Sequence, residues 1–550
     1  MVHCVSSLAL IRRAAGLLLV ATAIVPAGVR VVRAQTGIPQ GAPRDMSRVV
    51  IRDTTIFPPL VQREFRGVWI SPAGEGDWPS RPGLPAAVQQ QQLITLLDKA
   101  RAIGLNAIIF HVRLSGDALY DTALAPWSAK LSGRQGVSPG YDPLAVVVRE
   151  AHARGLQVHA WFNPFRASLD GGIRAAKNHV TRQHPSWVRR YGSQQWIDPG
   201  IPEARQFVIK TILDVVQRYD IDGVHLDDFF YPYRETRTTY RRVGRGRHRH
   251  TVKVTRELDF PDAASWAKYG RRAHWTDRAA WRRHNIDDFV HALYDSVHAE
   301  KPWLAVGISP FGIWRPGSPA GVDGLDSYRE IYADTRKWLR EGWVDYLAPQ
   351  LYWPIDGAQN RFRALDAWWR SQNPLGRHVW PGLYTAGAVG PSPWALDEIP
   401  RQIATLRFVR EGTMEANGHI HFRIGSLIAN AGPGSGTLGD RLEAESYRQP
   451  ALVPEMPWLP GQAPTLPLAQ IADRGDDDGP VLRFAPGDTT SVALWVVQVR
   501  DDHGHWSTSV LPASTRKIAL SDGTTTPDAV SVTAIDRVGR ASPRAVLRLK

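Results

Sequence analysis

The 550-residue chain contains one cysteine, Cys4, and it lies within the first 34 residues. From Gln35 onward there is thus no disulfide, no thiolate nucleophile and no thiolate metal site. Cys4 is also badly placed for a lipid anchor, which would follow the apolar run. Long apolar runs are lacking too. The one near the start, AAGLLLVATAIVPAGV, is short for a membrane span and holds Pro26. Arg12 and Arg13 precede it and Val32-Arg33-Ala34 follows it. That order is the pattern of a secretory signal peptide over residues 1–34, cleaved near Ala34, with an uncleaved anchor as the other reading. The expectation is an exported chain, periplasmic or extracellular, with no transmembrane segment after cleavage.

Negative charge is in deficit: 67 Lys and Arg against 53 Asp and Glu give +14. The leader holds four arginines and no acid, which leaves +10. Residues 234–256 (RETRTTYRRVGRGRHRHTVKVTR) hold nine basic residues and one acid, so the remaining chain carries only +2. Charge so confined is a local basic insertion, suited to an anionic polymer or lipid headgroups, or else a solvated loop. With no nucleic-acid reader motif in an exported chain, it does not indicate nucleic acid.

Residues 35–61 form an N-terminal extension. From Glu64 to Tyr447, β-branched runs alternate with helix-period segments such as 88–104 and 142–155. The expected strands are 64–70, 106–112, 156–163, 221–228, 304–310, 344–353, 378–385 and 418–424. Several helices end in glycine before the next strand, as C-caps do. Eight alternations, and no Gly-rich phosphate loop after the first strand, favour an α/β fold of (β/α)8 TIM-barrel type over residues 62–447 rather than a dinucleotide fold. Residues 448–467, rich in proline, read as a stiff linker. Residues 468–550 alternate apolar and polar positions between turns, as in a small all-β sandwich of fibronectin type III kind with an accessory role.

In a TIM barrel the site lies at the carboxyl ends of the strands. There the sequence places Asp77 and Trp78; His111, Arg113, Asp117 and Tyr120; His159, Trp161 and Asn163; His225, Asp227 and Asp228; and Gln350, Tyr352 and Trp353. Carboxylates beside flat aromatic rings are what glycoside hydrolysis requires, since one stabilises an oxocarbenium-like centre while an acid protonates the leaving oxygen. Strand parity pairs Asp227 with His225 toward the pocket and turns Asp228 away, toward the rim. His111, His159 and His225 occupy comparable places on three strands, so a metal-dependent hydrolase or deacetylase is a competing expectation.

The motifs EFRGVWI, GDWPSRPGL, GLNAIIFHVR, GDALY, RGLQVHAWFNPFR, HPSWV, DPGIPEARQFVI, YDIDGVHLDDFFYPY, VGISPFGIWRPG and YADTRKWLREGWVDYLAPQLYWPI run in order. Together, over residues 62 to 430, they resemble the family-10-like glycosyl hydrolases of bacteria. The resemblance implies a TIM-barrel glycoside hydrolase, exported in many members, for which peptidoglycan glycan strands are a substrate. It carries Asp77, Arg113, Asp117, Tyr120, His159, Asn163, His225, Asp227, Asp228, Tyr231, Gln350, Tyr352 and Trp353 onto family motifs. Three features depart from the pattern: His111 stands where glutamine is expected, 234–256 is longer than usual, and GHIHFRIGSL lacks the usual Phe-Ser ending.

Asp227 is therefore expected as nucleophile or electrostatic stabiliser, and Asp117 as the acid, with Asp228 and Asp77 as alternatives. Arg113 and His159 would orient carboxylates or hydroxyls, and Asn163, Gln350, Tyr352 and Trp353 would hold the sugar. No cofactor is expected. A cell-wall glycan-binding protein without turnover is the reading from a different class.

Overall fold

The computed structural model describes residues 55–72, 76–169, 175–245, 249–389, 394–411, 417–430, 436–472, 480–520 and 526–549. The expected leader and most of the N-terminal extension lie outside them. Among the described residues, nine parallel strands form one curled sheet: β1 Gln62–Ile70, β2 Ala107–Arg113, β3 Gln157–Phe162, β4 Gly223–Leu226, β5 Ala305–Ile308, β6 Tyr346–Leu347, β7 His378–Val379, β8 Gly382–Leu383 and β9 Asn417–His421. They are hydrogen-bonded in the order β7-β6-β5-β4-β3-β2-β1-β9-β8. Only Trp380 and Pro381 separate the two edge strands, so the sheet curls until both edges fall on one stretch of chain. The arrangement is TIM-barrel-like.

Helices cover the outside: α1 Ala86–Ile103, α2 Pro143–His152, α3 Pro202–Arg218, α4 Arg278–Glu300, α5 Thr335–Glu341, α6 Arg361–Ser371, α7 Glu398–Arg410 and α8 Leu438–Glu445. Local sequence sets their ends. Asp142 caps α2 by accepting from the Ala145 N–H at 3.0 Å, with Pro143 in the first turn. Gly104 stops α1 at φ 92°, a left-handed conformation that glycine adopts without cost. Among the described residues, no helix is long and apolar enough to cross a membrane.

The sheet interior is aromatic. Phe65 stacks on Trp380 with centroids 4.1 Å apart, and the buried Tyr346 crosses the middle. Gly307 on β5 makes room, because a Cβ there would lie 1.9 Å from the Tyr346 ring. Tyr346 also fixes two imidazoles. The Trp69 indole N–H donates to His225 Nε2 at 3.2 Å, which leaves Nδ1–H to donate to the Tyr346 oxygen at 2.9 Å. The Tyr346 hydroxyl then donates to His159 Nδ1 at 2.8 Å. Both rings are neutral in this chain, and burial lowers their pKa, to about 4 for His159 and well below the ordinary value for His225. Tyr346→Phe leaves both Nδ1 atoms without a partner, so it is expected to lower the unfolding free energy by about 1–3 kcal/mol. Urea unfolding measures this, and an unchanged midpoint contradicts the assignment.

The stretch read as a stiff linker is packed. Ala451–Leu452 pairs in parallel with the start of β1. Val453, Met456 and Leu459 are buried against the lower interior of the sheet, and the Trp458 indole donates to Asp345 Oδ1 at 2.7 Å. Every third side chain of this segment reaches the core, and a turn closed by the Leu459 N–H on the Met456 carbonyl at 3.1 Å brings Leu459 in.

Beyond it, the described residues form seven antiparallel strands: β10 Leu468–Ala472, β11 Val481–Ala485, β12 Leu494–Asp501, β13 Trp506–Pro512, β14 Lys517–Ala519, β15 Pro527–Ile535 and β16 Ala545–Arg548. They make up sheets β10-β11-β14 and β13-β12-β15-β16, which share one apolar core. This unit sits under the amino-terminal ends of the parallel strands. There Arg63 donates to the Gly539 carbonyl at 2.6 Å, and Met456 N–H donates to Val538 O at 2.9 Å. Ile56, in the extension, packs against Ala529 and Val546.

Candidate active site at the barrel mouth

β4 ends at Leu226, and the chain then turns, with Phe230 N–H donating to the Asp228 carbonyl at 3.1 Å. Parity along a ladder therefore stops before the aspartates. Asp227 and Asp228 are each 5% exposed, and both reach groups of the mouth. Asp227 Oδ2 accepts from the Trp161 indole at 3.2 Å and the Asn163 amide at 3.1 Å, while Oδ1 accepts from the Phe229 N–H at 3.2 Å. Asp228 accepts from the Tyr233 hydroxyl and from Gln350. The pair thus straddles the end of β4, one carboxylate leaning toward β3 and the other toward the segment after β6.

Burial and the neighbouring Asp228 push Asp227 up to about 7, against the opposing pull of Arg166. Burial raises Asp228 as well, opposed by the Tyr233 and Gln350 hydrogen bonds. A carboxyl that titrates near neutrality beside a second carboxylate is the electrostatic condition of an acid–base pair.

Around the pair, the His111 ring stacks on Trp161 at 3.7 Å and meets the Ser71 hydroxyl through Nδ1 at 2.9 Å. Burial, with Arg166 nearby, holds that imidazole neutral, depressed to about 3. The Arg166 guanidinium lies 3.8 Å over the Phe229 ring. Among the described residues, His111 Nε2, Asn163 Oδ1 and Arg166 Nε are buried polar atoms without a protein partner. Tyr352 adds an aromatic wall between Tyr384 and Phe422, with centroids at 5.4 and 5.6 Å, and lies within the field of Asp228. Trp353 stands farther out, edge-on to Phe311, with the Arg361 guanidinium 5.5 Å over its ring.

The structure therefore brings Trp161, Asn163, Asp227, Asp228, Gln350 and Tyr352 together. It sets His159 and His225 deeper, within the Tyr346 chain. Asp77 braces the rim: Oδ1 accepts from Arg423 at 2.6 Å and from the Gly425 N–H at 3.0 Å, tying the loop after β1 to that after β9.

Five expected site residues lie elsewhere. Trp78 is buried in the helix-facing core, with its indole donating to the Gln89 carbonyl at 2.7 Å. Tyr120 is in the same core against Tyr219. Tyr231 is packed between Phe260 and Tyr332. Asp117 is held beneath the loop after β2 by the Ser115 N–H at 3.2 Å and the Ser128 hydroxyl, facing His179 and Arg113. Burial raises Asp117 too, but the charge acting on Asp227 is Asp228. Arg113 stays with Asp117 and Tyr120.

The three histidines do not converge either. His225 uses both ring nitrogens in the Tyr346 chain, and His159 Nε2 faces Gln157 at 3.4 Å. Among the described residues, no group of three or more His, Cys, Asp or Glu side chains is placed to hold a metal ion. Arg166 and Tyr233 escaped the sequence reading although both lie inside the family motifs. Arg166 stands three residues after Asn163, and Tyr233 ends the aromatic run after the aspartates.

The family model of glycosyl hydrolase-like 10 matches residues 64–389. The chain belongs to the glycosyl hydrolase-like 10 family. The match begins in β1 and takes in Asp227, Asp228 and every mouth residue up to Tyr384. Two relatives named as glycosyl hydrolases extend it. YngK of Bacillus subtilis is 38% identical over 436 residues, 77% of this chain and 79% of the relative. DigH of Escherichia coli K12 is 36% identical over 326 residues, 56% of this chain and 69% of the relative. Among solved structures, the glycoside hydrolase domain of PgaB (BpsB) from Bordetella bronchiseptica is similar at 15% identity and a TM-score of 0.41, over 66% of this chain and 94% of that one.

Proposed function

We propose that this glycosyl hydrolase-like 10 protein is an exported glycoside hydrolase cleaving O-glycosidic bonds in a polysaccharide, with Asp227 as proton donor and Asp228 as its ionised partner. The observation that carries the reading is the Asp227 carboxyl poised at about 7 beside a second buried carboxylate. Protonated Asp227 delivers its proton to the glycosidic oxygen as that bond breaks. Asp228, steadied by Tyr233 and Gln350, stabilises the positive charge that grows at the anomeric carbon; water then adds to that carbon and gives its proton to the Asp227 carboxylate, which restores the acid. Sugar hydroxyls can donate and accept, so they suit the unpartnered His111 Nε2, Asn163 Oδ1 and Arg166 Nε. This departs from the roles expected from sequence, where Asp227 was the nucleophile or stabiliser and Asp117 the acid, with Asp228 and Asp77 as alternatives.

The expected leader at 1–34 and the family resemblance support peptidoglycan glycan strands as the polymer. The C-terminal unit, with seven described strands divided three and four, supports the reading of an accessory sandwich of fibronectin type III kind. The test is to incubate the chain from Gln35 onward with peptide-stripped peptidoglycan strands and with neutral polysaccharides, counting new reducing ends with and without chelator. Release from the glycan strands, indifferent to chelator, is the expected result. Binding without release from any glycan would make this a glycan-binding protein instead.

A further inference from the structure

The described residues of the basic insertion form a two-stranded ribbon. Strands Thr236–Val243 and His250–Glu257 pair antiparallel, in a register that sets Arg237 opposite Arg256 and Arg241 opposite Val252. Alternate residues of a strand, and directly paired residues across strands, share a face. Arg237, Arg241 and Arg256 therefore lie on one side, along with Thr239, Val243, His250, Val252 and Val254. All three arginines are exposed, and among the described residues none makes an ion pair with an acid. The strand acid, Glu257, is paired with Arg234 at the base, at 2.8 Å.

This geometry works against the ribbon by itself. Like charges directly opposite destabilise a strand pair. Two strands without a third, or a core beneath them, are marginal in water. Nearly every ribbon residue is exposed, and its anchors sit at the root: Leu258 N–H to Glu235 O at 2.8 Å, Glu235 N–H to the Tyr191 hydroxyl at 3.0 Å, and that hydroxyl to Leu258 O at 2.9 Å. The root follows Tyr233, the donor to Asp228, so the ribbon grows from the rim of the mouth.

We propose that this arginine face is a docking arm for a carboxylate-bearing polysaccharide strand, holding the polymer beside the mouth. Guanidinium forks match carboxylates, and repeated charges along a polymer offset an opposed Arg pair that the protein leaves uncompensated. A vesicle surface fits less well, because the face offers three small valines, Val243, Val252 and Val254, and no Trp, Phe or Leu to insert. That the polymer is a glycan rests on the proposed function; that the partner is anionic rests on the ribbon alone.

The chain from Gln35 onward is tested for binding to polygalacturonate, to neutral dextran and to phosphatidylglycerol vesicles. The R237Q/R241Q/R256Q variant is expected to weaken polygalacturonate binding roughly tenfold, since it removes three exposed guanidinium–carboxylate pairs of modest strength each. The R237K/R241K/R256K variant, which keeps the charge, should retain most of the affinity. Dextran binding should not separate the three proteins. Unchanged polygalacturonate binding in the glutamine variant overturns the proposal, as does tighter binding of the wild type to the vesicles. A failure of the hydrolase reading shows in reducing ends, and a failure of this one in the polygalacturonate affinity.

Discussion

Asp227→Asn is expected to lower turnover by about 10²–10⁴-fold, the usual contribution of a positioned general acid, while the fold persists. The amide keeps an oxygen to accept from the Trp161 indole and the Asn163 side chain. It removes a charge that burial and Asp228 both oppose. Its NH2 then faces the Phe229 N–H, which loses an acceptor, so the two effects offset and the variant should unfold close to the wild-type temperature. The pH dependence gives a second reading. The wild-type rate should fall as pH rises through about 7, where Asp227 loses its proton, and that alkaline limb should vanish in the residual activity of the variant.

Stability carries the same signature. A carboxyl whose folded value lies above its unfolded one binds more protons when folded, so its contribution is intact below the unfolded value. It is lost as pH rises through about 7. The wild type should thus lose stability from the ordinary carboxylate range up to neutrality, and the variant should lose less. Rate measurements on reducing ends, and thermal unfolding from acid to mildly alkaline pH, read both. Undiminished activity, or an alkaline limb that persists without Asp227, removes the assignment.

The barrel was legible because its signals are periodic. β-branched runs separated by capped, amphipathic stretches place strands and helices whatever the loops do, and β1 to β6 and β9 each overlap an expected strand. β7 and β8 were read as one strand, 378–385, although Trp380 and Pro381 interrupt the ladder.

The mouth was less legible, for a different reason. A residue just past a strand end has left the ladder, and its side chain can fold over the mouth or back under the helices. Trp78, Tyr120 and Tyr231 took the second course, where large rings bury more apolar surface. Asp117 followed the same loop inward, to the Ser115 N–H and the Ser128 hydroxyl. Strand parity also failed at the aspartates, because β4 stops at Leu226. Residue types inside the family motifs named Asn163 and Gln350. Nothing in composition or spacing distinguished Arg166 and Tyr233 from neighbouring surface positions. The proline-rich stretch shows the limit of composition: it reported an extended backbone but not the surface against which Val453, Met456 and Leu459 lie.

Asp228→Asn separates the two carboxylates. Asp228 is one of the causes that raise Asp227, second only to burial. Neutralising it is expected to shift the alkaline limb of the residual rate to lower pH, because Asp227 then parts with its proton more readily. The rate at the optimum should also fall, again by about 10²–10⁴-fold, since the ionised group facing the anomeric carbon is gone. The two variants therefore fail differently. Without Asp227 the alkaline limb disappears; without Asp228 it moves.

Tyr233→Phe gives the intermediate case. It removes a donor that favours the ionised form of Asp228, so Asp228 keeps its proton to higher pH and the acidic limb should move upward. If Asp228→Asn leaves the alkaline limb in place, the charge that holds Asp227 near 7 is not Asp228, and the pair is not the electrostatic unit of the site.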